Sequence, residues 1–130
     1  MAFTRILSTP ATYISGVLTA VIPNSVMYKI PGEANVRAVS SGGGAVDIVS
    51  GINAEKLVGE VHMEIAVTKA NVTMVEKLAA NRLIGQTDTI TIADGDFQRA
   101  WDQVILANEP DVAMKSDGNM KLEFKGRYAF

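Results

Sequence analysis

The chain has 130 residues, of which 48% are hydrophobic, 20% charged and 6% aromatic, and its formal net charge is −2. These values are typical of one soluble globular domain with an aliphatic core. The chain contains no cysteine, which excludes disulfides and thiolate chemistry. The weakly negative net charge, without any run of Lys or Arg, argues against a protein that binds the phosphate backbone of nucleic acids.

The first thirty residues predict a short irregular lead-in followed by two strands. Residues 1–10 are the lead-in, and the apolar stretch after it is interrupted too often for a signal peptide or a membrane span. Residues 13–22 and 25–30 are rich in β-branched and aromatic side chains, with the turn dipeptide Pro23-Asn24 between them. We therefore expect a soluble, cytoplasmic chain that begins with two strands.

Residues 33–57, called the arm below, predict an extended hairpin. Residues 35–39 and 45–49 alternate as strands do, and a glycine triplet, Gly42 to Gly44, lies between them. Glycine permits the tight reversal that such a hairpin requires. Because most of the arm is polar and rich in glycine, it is unsuited to the core of a small domain. We expect it to contact something outside its own subunit.

The next two elements are the clearest strand and the one convincing helix. Residues 58–68 alternate with a period of two, so that Glu60, His62 and Glu64 share a wet face. Residues 71–84 predict a helix with Asn71 as N-cap, or with Thr73 as the start of a capping box. Its apolar stripe consists of Val72, Val75, Leu78, Ala79 and Leu83, and Gly85 is the expected stop.

The remaining chain predicts more strands joined by turns. Residues 87–92 and 97–106 form a hairpin around Asp94-Gly95, and residues 112–115 and 120–128 form another around residues 116–119. The whole chain is thus expected to be mainly β (α+β). It would form an antiparallel β-sandwich or barrel with one flanking helix and an extended hairpin arm, in a single domain.

No pattern in the sequence indicates an active site. His62 is the only histidine, and a metal site would have to be completed by carboxylates such as Glu60 and Glu64. A solvated polar strand face is the more economical interpretation. The glycine triplet lacks the Lys-Ser/Thr that a phosphate loop requires, and no serine has a histidine placed beside it by a motif. We therefore predict neither an enzyme nor a cofactor or metal site.

The order of these segments resembles the tail tube proteins of tailed bacteriophages. The resemblance runs from about Glu33 to Gly126. It is carried by residues 35–46, by Asn53-Ala54-Glu55, by residues 58–61 with the helix after them, and by the closing stretch 106–126. In that family, hexameric rings of a β-sandwich subunit stack into a hollow tube through which DNA passes into the host. The resemblance implies a structural virion protein of a contractile tail, assembled in the host cytoplasm.

The resemblance also implies roles for particular residues and partners. The partners would be other copies of the chain, a tail sheath protein, and the baseplate and tail terminator proteins, while DNA would cross the lumen without specific binding. Val75, Trp101 and Phe124 are expected core or interface anchors, and Glu60, His62 and Glu64 are candidate lumen-facing residues. Lys121, Glu123, Lys125 and Arg127 form a mixed-sign face that is assigned instead to subunit contacts or the tube exterior, and the reverse assignment of the two faces stays open. The expected contacts between subunits and rings are Arg37, Ser40, Ser41, Gly42, Gly43, Gly44, Asp47, Asn53 and Glu55.

Two alternatives remain open from the sequence. The first is a tube protein of a related contractile injection machine, such as a pyocin or the type VI secretion system. The second belongs to a different class, a small β-sandwich module that binds a carbohydrate or peptide. Such a module usually presents clustered aromatic side chains at one rim, whereas Tyr13, Tyr28, Trp101 and Tyr128 are scattered along this sequence.

Overall fold

The computed structural model describes residues 3–30, 35–42, 45–51, 58–110 and 118–129. They form ten strands and one helix. The elements in chain order are β1 (Thr4–Arg5), β2 (Ala11–Ile14), β3 (Val17–Thr19), β4 (Met27–Lys29), β5 (Asn35–Gly42), β6 (Ala45–Gly51), β7 (Val58–Ala66), α1 (Lys69–Leu83), β8 (Asp88–Asp94), β9 (Phe97–Leu106) and β10 (Asn119–Tyr128).

Eight strands make one antiparallel sheet in the order β1-β4-β7-β10-β9-β8-β2-β3. The sheet coils back on itself, because Val21, just after β3, forms an antiparallel bridge with Ile65 of β7. The inner faces of the strands and one side of α1 enclose a single core, to which Val61, Ile90 and Phe124 contribute fully buried side chains. The predicted mainly β, antiparallel fold with one flanking helix is confirmed.

β5 and β6 form a separate two-stranded sheet, called the ribbon below. They pair antiparallel from Asn35 opposite Gly51 to Gly42 opposite Ala45, with an irregularity between Ser40 and Gly42. The hairpin expected in the arm is therefore present. The turn residues Gly43 and Gly44, and the arm residues 33–34 and 52–57, lie outside the described residues.

The helix begins earlier than the sequence analysis predicted. Thr68 is the N-cap, and its side-chain oxygen accepts a hydrogen bond from the backbone N–H of Asn71 at 3.2 Å. The amide of Asn71 donates instead to the Ala66 carbonyl at 2.8 Å, so neither Asn71 nor Thr73 caps the helix. Leu83 was wrongly placed in the buried stripe, since it is 84% exposed. The helix stops as expected before Gly85, whose φ is +74°.

The N-terminal third differs most from the prediction. Residues 13–22 form a hairpin rather than one strand: Ser15 and Gly16 have φ of 52° and 79° and reverse the chain between β2 and β3. Both residues have the positive φ that a two-residue type I′ turn requires. The lead-in also contains β1, which pairs with β4. Beyond β9, the predicted strand at residues 112–115 and the turn residues Ser116 and Asp117 lie outside the described part of the chain.

Candidate assembly surfaces

The outward residues of β4, β7 and β10 form one continuous surface, called the charged face below. β7 lies between β4 and β10, and all three strands run antiparallel to their neighbours. Residues directly opposite in such a sheet point to the same side. The register therefore pairs three outward residues of β7 with three of β10, as Glu60 with Lys125, His62 with Glu123 and Glu64 with Lys121.

This register corrects one feature of the sequence analysis. Glu60, His62 and Glu64 were assigned to a different surface from Lys121, Glu123 and Lys125, but the structure brings both sets together. The separation was wrong because β7 and β10 are neighbours in the sheet although more than fifty residues apart in sequence. A partner that binds to the charged face therefore contacts residues of β7 and of β10 together.

The carboxylates of β7 are paired with lysines of the adjacent strands. Glu60 lies 3.7 Å from the Lys29 ammonium and 3.9 Å from that of Lys125, and Glu64 lies 3.9 Å from the Lys121 ammonium. Surface pairs of this kind contribute about 0–1 kcal/mol each to stability. Their main effect is on the local potential: the acids of β7 are largely neutralised by cations of the same face.

His62 lies in the middle of the charged face. Its Nε2 is 3.6 Å from a carboxylate oxygen of Glu60, too far for a hydrogen bond, and its ring centroid is 4.6 Å from that of Phe3. A groove of about 280 Å³ beside it is lined by residues of both signs, including Arg5 and Glu123. Among the residues that the structure describes, no group of three or more His, Asp or Glu side chains is arranged to hold a metal ion. The groove is lined by apolar residues as well, among them Met27 and Leu122.

Arg127 extends the charged face toward β9. Its guanidinium donates two hydrogen bonds to the Asp102 carboxylate, at 2.9 Å from Nε and 2.7 Å from Nη2. This bidentate pairing holds the pKa of Asp102 below its ordinary value and raises the pKa of Arg127. Both side chains are exposed, so the pair orients the arginine more than it stabilises the fold.

The predicted arm contacts fall on the ribbon as far as the structure describes them. Arg37 is opposite Val49, Ser40 is opposite Val46, and Asp47 is opposite Val39. Ser41 lies at the irregularity in β5, and Gly42 ends that strand. Of the other predicted contacts, Gly43, Gly44, Asn53 and Glu55 lie outside the described residues.

The three predicted anchors all lie in the subunit core. Val75, Trp101 and Phe124 are 6%, 1% and 0% exposed. Trp101 also belongs to an aromatic cluster: its ring centroid lies 5.8 Å from that of Tyr28 and 5.3 Å from that of Tyr128. Residues scattered along the sequence thus meet in space, but they meet inside the sheet and not at an exposed rim.

One surface feature was missed by the sequence analysis. The β2–β3 hairpin exposes Tyr13, Val17 and Leu18, at 38%, 61% and 62% respectively. Tyr13 and Leu18 are directly opposite each other in the hairpin. The Ser15-Gly16 dipeptide is a turn signal that could have revealed this hairpin. It was overlooked because the apolar residues on both sides of it were taken as one continuous strand.

Comparison with known proteins gives no match: no protein-family model, no curated protein and no solved structure matches this chain. In the described part of the chain, no helix is long and apolar enough to cross a membrane.

Proposed function

We propose that this protein is a structural subunit of a phage tail tube, forming hexameric rings that stack into a conduit for DNA. In this proposal the chain acts in the virion and is assembled in the host cytoplasm. It contacts other copies of itself, a sheath, and the baseplate and terminator proteins. It catalyses no reaction and needs no cofactor. A tube subunit of a pyocin-like or type VI-like machine would share the same assembly chemistry.

The ribbon is the observation that carries the proposal. An isolated two-stranded sheet is at best marginally stable in water, and its two outer strands offer unpaired backbone groups. β5 and β6 pair with each other and belong to no larger sheet in the described structure. Strand addition and hairpin exchange are common ways in which β proteins associate. A protein that extends such a ribbon from a well-packed sheet is therefore suited to assembly with further copies.

The charged face is compatible with a conduit. A channel through which DNA moves must avoid many cationic contacts, because each phosphate contact adds salt-dependent affinity. On this face the lysines are partnered by Glu60 and Glu64 instead of standing as a free basic patch. We propose that Glu60, His62 and Glu64 line the lumen of the tube.

The position of the aromatic residues supports assembly over the alternative of a ligand-binding module. A module that binds sugars or peptides needs accessible aromatic rings. Here Trp101 is 1% and Tyr28 is 5% exposed, and both are packed into the core. The exposed rings, Phe3 and Tyr13, belong to different segments, one just before β1 and the other in β2. We therefore favour the tube subunit.

The test is assembly of the purified protein in the electron microscope. We expect rings or tubes from the wild-type chain. Replacement of Gly42, Gly43 and Gly44 by valine should abolish them, because β-branched residues disfavour the tight reversal that the sequence predicts for the tip of the arm. The variant subunit should keep the circular dichroism spectrum and the unfolding midpoint of the eight-stranded sheet.

A matched control replaces Gly95 with valine, since this residue also occupies a turn but lies between β8 and β9. That variant should lose some stability through its φ of +61° and still assemble. Monomers of the wild-type chain under all conditions would contradict the proposal. Normal tubes from the triple valine variant would remove the arm from it.

A further inference from the structure

Arg99 is a cation on the inner face of the eight-stranded sheet. It lies directly opposite Ile92 of β8, which is fully buried, and residues opposite each other in an antiparallel pair share a face. Its guanidinium lies over the ring of Phe97, with 4.2 Å between the Cζ atom and the ring centroid. Charged side chains are seldom placed on an inner face unless an opposite charge accompanies them.

No carboxylate of the described residues forms an ion pair with Arg99. Its Nη1 donates to the Gln98 carbonyl at 2.8 Å, whereas Nε is buried without a hydrogen-bond partner. The carboxylate of Asp94, which lies opposite Phe97, accepts a hydrogen bond from the Ser8 hydroxyl at 2.8 Å instead. The stacking on Phe97 uses the flat face of the guanidinium, and hydrogen bonds use its edge. The edge that carries Nη2 is therefore still able to bind an anion.

Glu109 lies beyond the other end of β9 and is an acid with little contact inside its own subunit. Its side chain is 93% exposed, and its ion pair with Arg82 is 4.0 Å long. The same guanidinium donates two hydrogen bonds from Nη1, to the Leu106 carbonyl at 2.7 Å and the Asn108 carbonyl at 3.2 Å. β9 has ten residues, so Arg99 and Glu109 are more than about 20 Å apart. They cannot meet within one subunit.

Other acids at this end of the sheet have partners within the subunit. Asp88 accepts a hydrogen bond from the Asn81 amide at 3.1 Å. Glu64 lies 3.9 Å from the Lys121 ammonium. Of these described acids, Glu109 is the one best placed to pair with a cation of another molecule.

We propose that Arg99 of one copy of this chain binds the Glu109 carboxylate of a second copy. Because the two residues lie at opposite ends of one strand, the contact joins unlike ends of identical subunits. Such a contact does not close after two copies and instead continues from copy to copy as a stack. The inference rests on the proposed function, because it assumes that copies stack. It goes beyond that function in naming an ion pair between stacked copies, outside both the arm and the charged face.

The first test reverses each charge and measures, by sedimentation velocity, the concentration needed for assembly. Glu109→Arg and Arg99→Glu should each raise it at least about tenfold, because each brings two like charges into contact. Glu76→Arg is the matched control, since it makes the same change at an exposed glutamate of α1. It should assemble as the wild-type chain does.

Folding is checked separately by the unfolding temperature. Glu109→Arg should unfold at the wild-type temperature, because the replaced side chain is almost fully exposed. Arg99→Met is added because Arg99→Glu places an acid on the inner face of the sheet. It removes the charge but keeps an unbranched side chain that can pack on Phe97. It too should raise the concentration needed for assembly.

The second test mixes the Arg99→Glu and Glu109→Arg proteins in equal amounts. In an alternating stack of the two, every contact again joins a cation and a carboxylate. The mixture should therefore assemble near the wild-type concentration, as should a chain that carries both substitutions. Recovery in the mixture is specific for a contact between copies, because neither chain is changed by the mixing.

The outcomes separate this inference from the proposed function. Wild-type chains that never assemble would overturn both. Assembly of the Glu109→Arg protein at the wild-type concentration would overturn the ion pair and leave the tube proposal intact. Single-variant defects that neither the mixture nor the double substitution relieves would also contradict it, because the two charges would then act separately. A defect in the Arg99 variants alone would mean that a different anion binds Arg99, which excludes Glu109 as the partner.

Discussion

At the scale of the residue, Gly126 is a position at which the sheet has no room for a side chain. It lies in β10 between Gly59 of β7 and Val104 of β9. A Cβ atom added there would overlap the backbone carbonyl oxygen of Gln103 and lie 2.6 Å from the Cα of Val104. Both are backbone atoms of a central strand, so no side-chain rotation relieves the contact.

Gly126→Ala is therefore expected to destabilise the subunit by about 3 kcal/mol or more, because β9 and β10 must move apart. Chemical denaturation monitored by Trp101 fluorescence measures this change. Gly95→Ala is the control, since a Cβ atom there meets nothing within 4 Å and the cost is only that of its positive φ, about 1 kcal/mol. Equal losses from the two substitutions would contradict the steric argument.

At the scale of the element, the sequence predicted best those strands whose two faces differ. β7 alternates between buried and partly exposed residues along nearly its whole length, and the predicted bounds of β9 match the observed ones. The β2–β3 hairpin was missed because its residues are apolar on both sides of the turn. Part of that apolar surface is exposed, which a pattern based on burial inside one subunit cannot indicate.

The candidate surfaces were predictable only in part, since they depend on which strands are neighbours. The wet face of β7 follows from its own period of two. That Lys121 and Lys125 share this face follows only from the pairing of β7 with β10, which are joined through α1, β8 and β9. Residues on one strand are fixed relative to each other by local geometry, whereas contacts between strands depend on the whole fold.

Helix α1 provides the second prediction, because Val75 and Leu78 differ sharply in burial from Leu83. Val75 and Leu78 are 6% and 3% exposed and pack against the core. Val75→Asp should destabilise the subunit by about 3 kcal/mol or more and abolish soluble expression, since it buries a charge without a partner. Leu83→Asp should change stability by less than about 0.5 kcal/mol. Wild-type yield of the Val75→Asp protein would contradict the packing of α1 on the core.

At the scale of the whole molecule, two surfaces of the sheet differ in charge. The charged face on β4, β7 and β10 holds side chains of both signs in paired contacts. The β2–β3 hairpin, at the far end of the strand order from β4 and β7, exposes uncharged side chains. In the proposed ring, we expect copies of the subunit to bury part of the uncharged surface between them. The charged face would then stay in contact with water, as the proposed wall of a DNA channel requires.

The last prediction tests that wall. Replacing Glu60 with lysine removes the partner of Lys29 and Lys125, and replacing Glu64 with lysine removes the partner of Lys121. The double substitution makes the charged face strongly cationic. We expect tubes to form still, and DNA ejection to slow, most of all at low salt, because phosphate contacts weaken as salt rises. The control, Glu76→Lys with Asp96→Lys, adds the same net charge at exposed residues of α1 and of the turn between β8 and β9. Ejection as fast as in this control, at every salt concentration, would exclude the charged face from the lumen.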